Sequence, residues 1–74
     1  MNKRYIYKGQ VLFVRRDLSG RYRTFKKPLG ENNDDFRAHT CNLKGLGVWN
    51  TFEGAQKALD AEAERRGLEE ANET

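Results

Sequence analysis

The rhythm of hydrophobic and polar positions changes at residue 49. From there Phe52, Ala55, Leu59 and Ala63 recur at three- and four-residue steps among Glu, Asp, Lys, Gln and Arg. That spacing places them on one side of a helix and predicts one over residues 51–66. Asn50 with Glu53 has the spacing of a capping box, and Thr51 can cap one residue later. Glu53 in the first turn and Arg65 and Arg66 in the last complement the helix dipole. Gly67 supplies a left-handed ending, and Leu68 folds back onto Ala63 as in a Schellman motif. One Phe, one Leu and a few Ala make a thin apolar stripe. An isolated helix of about fifteen residues is marginal in water, so this one must dock on an apolar layer.

The chain before residue 49 alternates as strands do. Tyr5 to Tyr7 reads as a short element that turns at Lys8-Gly9. Val11 to Arg16 is a β-branched and aromatic strand, Asp17-Leu18-Ser19-Gly20 a turn, and Arg21 to Lys27 the returning strand. Residues 28–35 form a polar loop. Phe36 to Cys41 reads as a further strand, with Phe36, Ala38 and Thr40 inward because that set is more apolar than Arg37, His39 and Cys41. Residues 42–48, with Gly45 and Gly47, connect to the helix. Residues 69–74 form a short acidic tail. The expected fold is α+β: a three-stranded antiparallel β-meander with one C-terminal helix packed on one face, in a single domain of residues 1–68. The expected core is Val11, Phe13, Phe36, Trp49, Phe52, Leu59 and one of Tyr22 or Phe25.

Composition narrows the class. Seventy-four residues with one cysteine, Cys41, exclude a disulfide framework. A lone thiol without an export signal fits a reducing cytoplasm. No run is long enough to span a membrane. The net charge of +3 is unevenly spread: nine basic side chains face Asp17 alone in residues 1–28, and five face ten acidic ones in residues 29–74. Such asymmetry fits a polyanion such as DNA or RNA, and equally a basic sheet that attracts an acidic helix.

The densest basic stretch flanks the turn at 17–20. The candidate nucleic-acid-binding residues are Arg15, Arg16, Arg21, Tyr22, Arg23, Lys26 and Lys27, with Phe25 interleaved. Arginine presents a rigid donor fork suited to phosphate and guanine edges, and aromatic rings on an open sheet can stack unpaired bases. The other reading of the same residues is a solvated sheet with aromatic cross-strand pairs. His39 and Cys41 are at most half a zinc site. No nucleophile has an activating base nearby, and Gly45-Leu46-Gly47 is not a phosphate loop. Asp60, Glu62 and Glu64 read as a soluble helix exterior. No catalytic residue, metal or cofactor is assigned, and a non-enzymatic protein is expected.

Gly20-Arg21-Tyr22-Arg23 in the second strand and Thr51-Phe52-Glu53-Gly54-Ala55 at the helix start resemble the arm-type DNA-binding domain of phage and transposon tyrosine recombinases. The resemblance implies a three-stranded sheet entering the major groove, with Arg21, Arg23 and Lys26 facing DNA. The chain is similarly close to small stand-alone bacterial or phage proteins of the same element order. Two functions are therefore carried forward: a small module that binds nucleic acid through a basic sheet face, or a protein-interaction or homodimerisation module.

Overall fold

Lys8 and Gly9 both take positive φ, at 49° and 77°, the backbone of a two-residue hairpin turn. They join β1 (Tyr5–Tyr7) to β2 (Gln10–Arg16), with Tyr7 opposite Gln10. The computed structural model of the chain describes residues 3–30 and 38–71. Within them β3 (Tyr22–Pro28) pairs with the whole of β2, and β4 (His39–Thr40) pairs with β3. The helix α1 (Phe52–Arg66) follows, then β5 (Glu69–Glu70). All pairings are antiparallel, and the sheet order is β4-β3-β2-β1-β5.

The α+β class and the single C-terminal helix agree with the sequence, but the sheet has five strands, not three. Tyr5–Tyr7 is an inner strand. The residues read as the start of an acidic tail form its outer neighbour: Glu70 lies opposite Tyr5, and the Ala71 N–H donates to the Arg4 carbonyl at 2.7 Å. Gly67 makes this return possible. It adopts φ 65°, its N–H donates to the Glu64 carbonyl at 3.2 Å, and the Leu68 N–H donates to the Ala63 carbonyl at 2.9 Å. That pair of bonds is the Schellman ending, and it points the chain back along β1. Two glutamates on a short outer strand discourage further strand addition.

The opposite end of α1 is capped by Thr51, not Asn50: the Gly54 N–H donates to Thr51 Oγ1 at 3.1 Å. The helix lies across β2 and β3. Its Ala55, Leu59 and Ala63 meet Tyr5, Leu12, Val14, Cys41 and Leu46. The Tyr22 ring packs edge-on against Phe52 at 5.9 Å. Polar residues share this interface. Tyr5 Oη donates to Asp60 Oδ1 at 2.6 Å, and Gln56 Nε2 donates to Asp60 Oδ1 at 2.9 Å and to the Lys3 carbonyl at 3.0 Å. Burial and the Asp60 bond raise the Tyr5 pKa, so its phenol stays a donor. Glu62 is buried beside Gly45 and paired with Arg65 and Arg66. Asp60 and Glu62 therefore bind the fold together and are not part of a solvating exterior.

Two further expectations are corrected. Trp49 is 41% exposed; its backbone bridges Tyr22, its Nε1–H donates to the Leu46 carbonyl at 2.7 Å, and its ring lies against Gly54. Cys41, not Thr40, faces the helix. The Cys41 N–H donates to the Thr24 carbonyl at 3.0 Å, while Thr40 lies opposite Phe25 on the other face. Phe36, which tipped the sequence argument toward the other parity, lies outside the described residues. Val11, Phe13 and Phe25 are buried as expected, at 0%, 2% and 4% exposure, on the face away from α1. Among the described residues no helix is long and apolar enough to cross a membrane.

Candidate nucleic-acid interface

The turn between β2 and β3 is built by one carboxylate. The Gly20 N–H donates to the Asp17 carbonyl at 3.1 Å, and the Asp17 N–H donates to the Arg21 carbonyl at 2.7 Å. Gly20, at φ 86°, takes the left-handed position of this three-residue loop. Asp17 Oδ1 accepts from the Ser19 hydroxyl at 2.6 Å, the Ser19 N–H at 2.9 Å and the Arg21 N–H at 3.0 Å. Its Oδ2 accepts from Arg23 Nε at 2.9 Å. The Ser19 hydroxyl, then the two backbone amides and the Arg23 charge, outweigh desolvation and lower the Asp17 pKa from 3.8 to about 2. Asp17 thus carries a fixed negative charge that orients the Arg23 guanidinium.

Arg15 lies directly opposite Arg23 in the β2–β3 register, on the face away from α1. Like charges facing each other across strands destabilise a sheet. Two contacts offset the repulsion here: the Asp17–Arg23 pair, and the Arg15 guanidinium carbon 4.0 Å from the Phe25 ring centroid. Farther along the same face, the Arg4 guanidinium lies 4.5 Å from the Phe13 centroid and the Lys27 ammonium 5.7 Å from it. Phe13 and Phe25 are neighbours at 6.4 Å. The face opposite the helix is therefore an aromatic floor with cations laid over it.

The seven candidate residues do not form one patch. Arg15, Arg23 and Lys27 point away from α1. Arg16, Tyr22 and Lys26 have the helix-side parity, and Arg21 belongs to the turn. Tyr22 is occupied by Phe52, and Phe25 lies beneath Arg15. Neither ring offers an open stacking surface, so cations and not aromatic faces are what this hairpin presents. Four arginines nonetheless gather at its turn end: Arg16 and Arg21 exposed, Arg15 and Arg23 half-buried.

Beside the turn lies an open groove of about 460 Å³, bordered by Arg15, Asp17, Arg23, Phe25 and Thr40. A smaller hollow of about 200 Å³ lies on the other side of Arg23, against Cys41, Leu43 and Val48. Arg4, Asp17 and Thr40 were not among the candidates from sequence. Asp17 had a readable signal: an Asp two residues before a Ser at a turn ending in Gly caps that turn, and the hairpin register then brings Arg23 to it. Among the described residues no group of three His, Cys, Asp or Glu side chains could hold a metal ion.

Lowering the pH should release this arrangement. A carboxylate whose folded pKa is depressed adds stability above its unfolded value of 3.8, and that contribution disappears as pH falls toward about 2. The stability gap between the parent and Asp17→Asn should therefore be constant near neutrality and close between about pH 4 and pH 2. Urea unfolding across that range measures it, and a gap that stays constant down to pH 2 contradicts the assignment. Compared with models of known protein families, with characterised proteins and with solved structures, the chain matches none.

Proposed function

We propose that this chain is a small, non-enzymatic module that binds nucleic acid through the arginine-rich turn end of the β2–β3 hairpin. The supporting observation is the gathering of four arginines at that turn, Arg16 and Arg21 exposed and Arg15 and Arg23 half-buried. Arg16 and Arg21, exposed on either side of the turn, extend the positive surface to solvent. Polyanion affinity from such a surface comes largely from counterion release and is steeply salt-dependent.

The test is fluorescence anisotropy with labelled duplex DNA and single-stranded RNA over a range of salt. Charge reversal at Arg16 and Arg21 should weaken binding by about tenfold or more and reduce the salt slope by about two. These two positions suit the test because Arg23→Glu would set a second carboxylate against Asp17 and disturb the turn. An absence of binding even at low salt removes the proposal. A second reading, a protein partner or self-association, is favoured by Val48 and Trp49, each 41% exposed and adjacent. The Trp49 indole is already fixed by Leu46, which suits an interface anchor. Self-association predicts a sedimentation mass that rises with concentration.

A further inference from the structure

We propose that the groove beside the turn holds the phosphate of a single nucleotide unit, with Arg23 as its contacting residue and Asp17 as the positioning residue. This inference rests on the nucleic-acid reading and narrows it to one residue pair and one ligand group. The chemistry is the same whether the unit is a free nucleotide or one nucleotide of a single strand.

The case starts from the shape of Arg23. A guanidinium has five donors in a planar fork. Nε is spent on Asp17 Oδ2 at 2.9 Å, and no other hydrogen bond or ion pair of Arg23 is present among the described residues. The edge formed by its two terminal nitrogens therefore remains for a ligand, in a plane that Asp17 sets. Asp17 is itself immobilised, because its other oxygen accepts three hydrogen bonds from Ser19 and Arg21. Arg23 thus pays little ordering entropy on binding, as preorganised sites do.

The surroundings fit the same ligand. Arg23 borders both hollows, of about 460 Å³ and about 200 Å³. The larger is within the usual size range of small-ligand clefts, about 300–1,000 Å³. A groove of this size has room for one nucleotide. Thr40 lies opposite Phe25 on this face and brings a hydroxyl to the rim.

The Asp17 substitution gives a test whose sign is diagnostic. Asp17→Asn removes a negative charge from beside the groove, so a diffuse electrostatic surface would bind a phosphate more tightly. Under the positioning role it binds less tightly, because the amide no longer orients Arg23. Asparagine keeps an oxygen acceptor for Ser19 and Arg21, so the turn is retained.

The experiment is an amide-shift titration of the parent, Arg23→Lys, Asp17→Asn, the double variant and Arg21→Lys. The probes are inorganic phosphate, uridine monophosphate and a short oligothymidine. Arg23→Lys should lose roughly tenfold in affinity, as for one charge-assisted bond, and Arg21→Lys should stay within about twofold. Asp17→Asn should weaken binding in the parent and add nothing to Arg23→Lys, the non-additivity of a coupled pair. Shifts of the groove amides with uridine monophosphate support a free nucleotide as ligand; shifts with oligothymidine alone support a strand. If Asp17→Asn does not fold, the comparison of Arg23→Lys with Arg21→Lys decides. Tighter binding by Asp17→Asn, or equal losses at Arg21 and Arg23, overturns the inference while leaving nucleic-acid binding intact. Loss of all binding in the parent overturns the broader reading itself.

Discussion

Replacing Leu59 by alanine should lower stability by about 3 kcal/mol, within the range for buried Leu→Ala changes. Leu59 is the most central side chain of α1. It is 0% exposed and belongs to the cluster that joins Leu12 and Val14 of β2 to Cys41 and Leu46 of the connector side. The helix has few other apolar anchors: Ala55 and Ala63 are small, and Phe52 is half-buried. Neighbours that are already alanine cannot expand into the space, so a cavity remains and the cost lies above simple transfer. A chain of this length has a total stability of roughly 4–11 kcal/mol, and the midpoint of thermal unfolding should fall by about 15 °C. Urea unfolding followed by Trp49 fluorescence measures the change, since the indole is held by Leu46 and Gly54. Leu18→Ala is the control. Leu18 is fully exposed at the hairpin turn, and its loss should stay within about 0.5 kcal/mol. Similar midpoints for the two variants would contradict the assigned core.

How much of this was readable beforehand depends on the type of signal. Local signals held. The Lys8-Gly9 turn, the β2–β3 hairpin and the Gly67 ending are each set by a few adjacent residues whose backbone preferences agree. The cap moved by one residue, from Asn50 to Thr51, because both are good caps and the position is decided by Trp49. Its backbone pairs with Tyr22 and its ring needs the bare Cα of Gly54 beneath it. Glycine at that position reads as a flaw in a capping box and is a packing requirement.

Non-local signals were less visible. Glu69 and Glu70 have no strand character of their own. They become a strand because Gly67 returns the chain beside β1, so tertiary context overrides propensity. The inward stripe of α1 also runs through Gln56 and Glu62, which complete its three- and four-residue spacing but read as polar. Parity was the remaining gap. Val11 and Leu12 are apolar at successive positions, and only the helix contact shows which face each serves. The same uncertainty applied to the basic residues. Once the register is fixed, Arg15 and Arg23 separate from Arg16 and Lys26, and Arg23 meets Asp17 across the turn.

Gly45→Ala should be the most damaging change outside the core, at about 2–4 kcal/mol, through two separable effects. Gly45 adopts φ 98°, a conformation that costs an L-residue about 1–2 kcal/mol. A Cβ there would also overlap the Glu62 carboxyl group. Glu62 cannot yield cheaply, since it is 3% exposed and its oxygens meet Arg65 at 2.7 Å and Arg66 at 3.1 Å. Arg66 extends the link by donating from Nη2 to the Lys44 carbonyl at 3.4 Å, so displacing Glu62 loosens the connector from the helix end. Buried charges that lose their partners are strongly destabilising, although the solvent exposure of Arg65 moderates the loss here. Truncating Glu62 separates the two effects. Glu62→Ala alone should destabilise, but adding Gly45→Ala to it should cost only the backbone part, about 1–2 kcal/mol. A double-mutant cycle by urea unfolding reads this coupling. Strictly additive changes would show that Gly45 serves the turn alone, and the coupling expected here would show that the missing side chain of Gly45 is what lets a glutamate be buried against the connector.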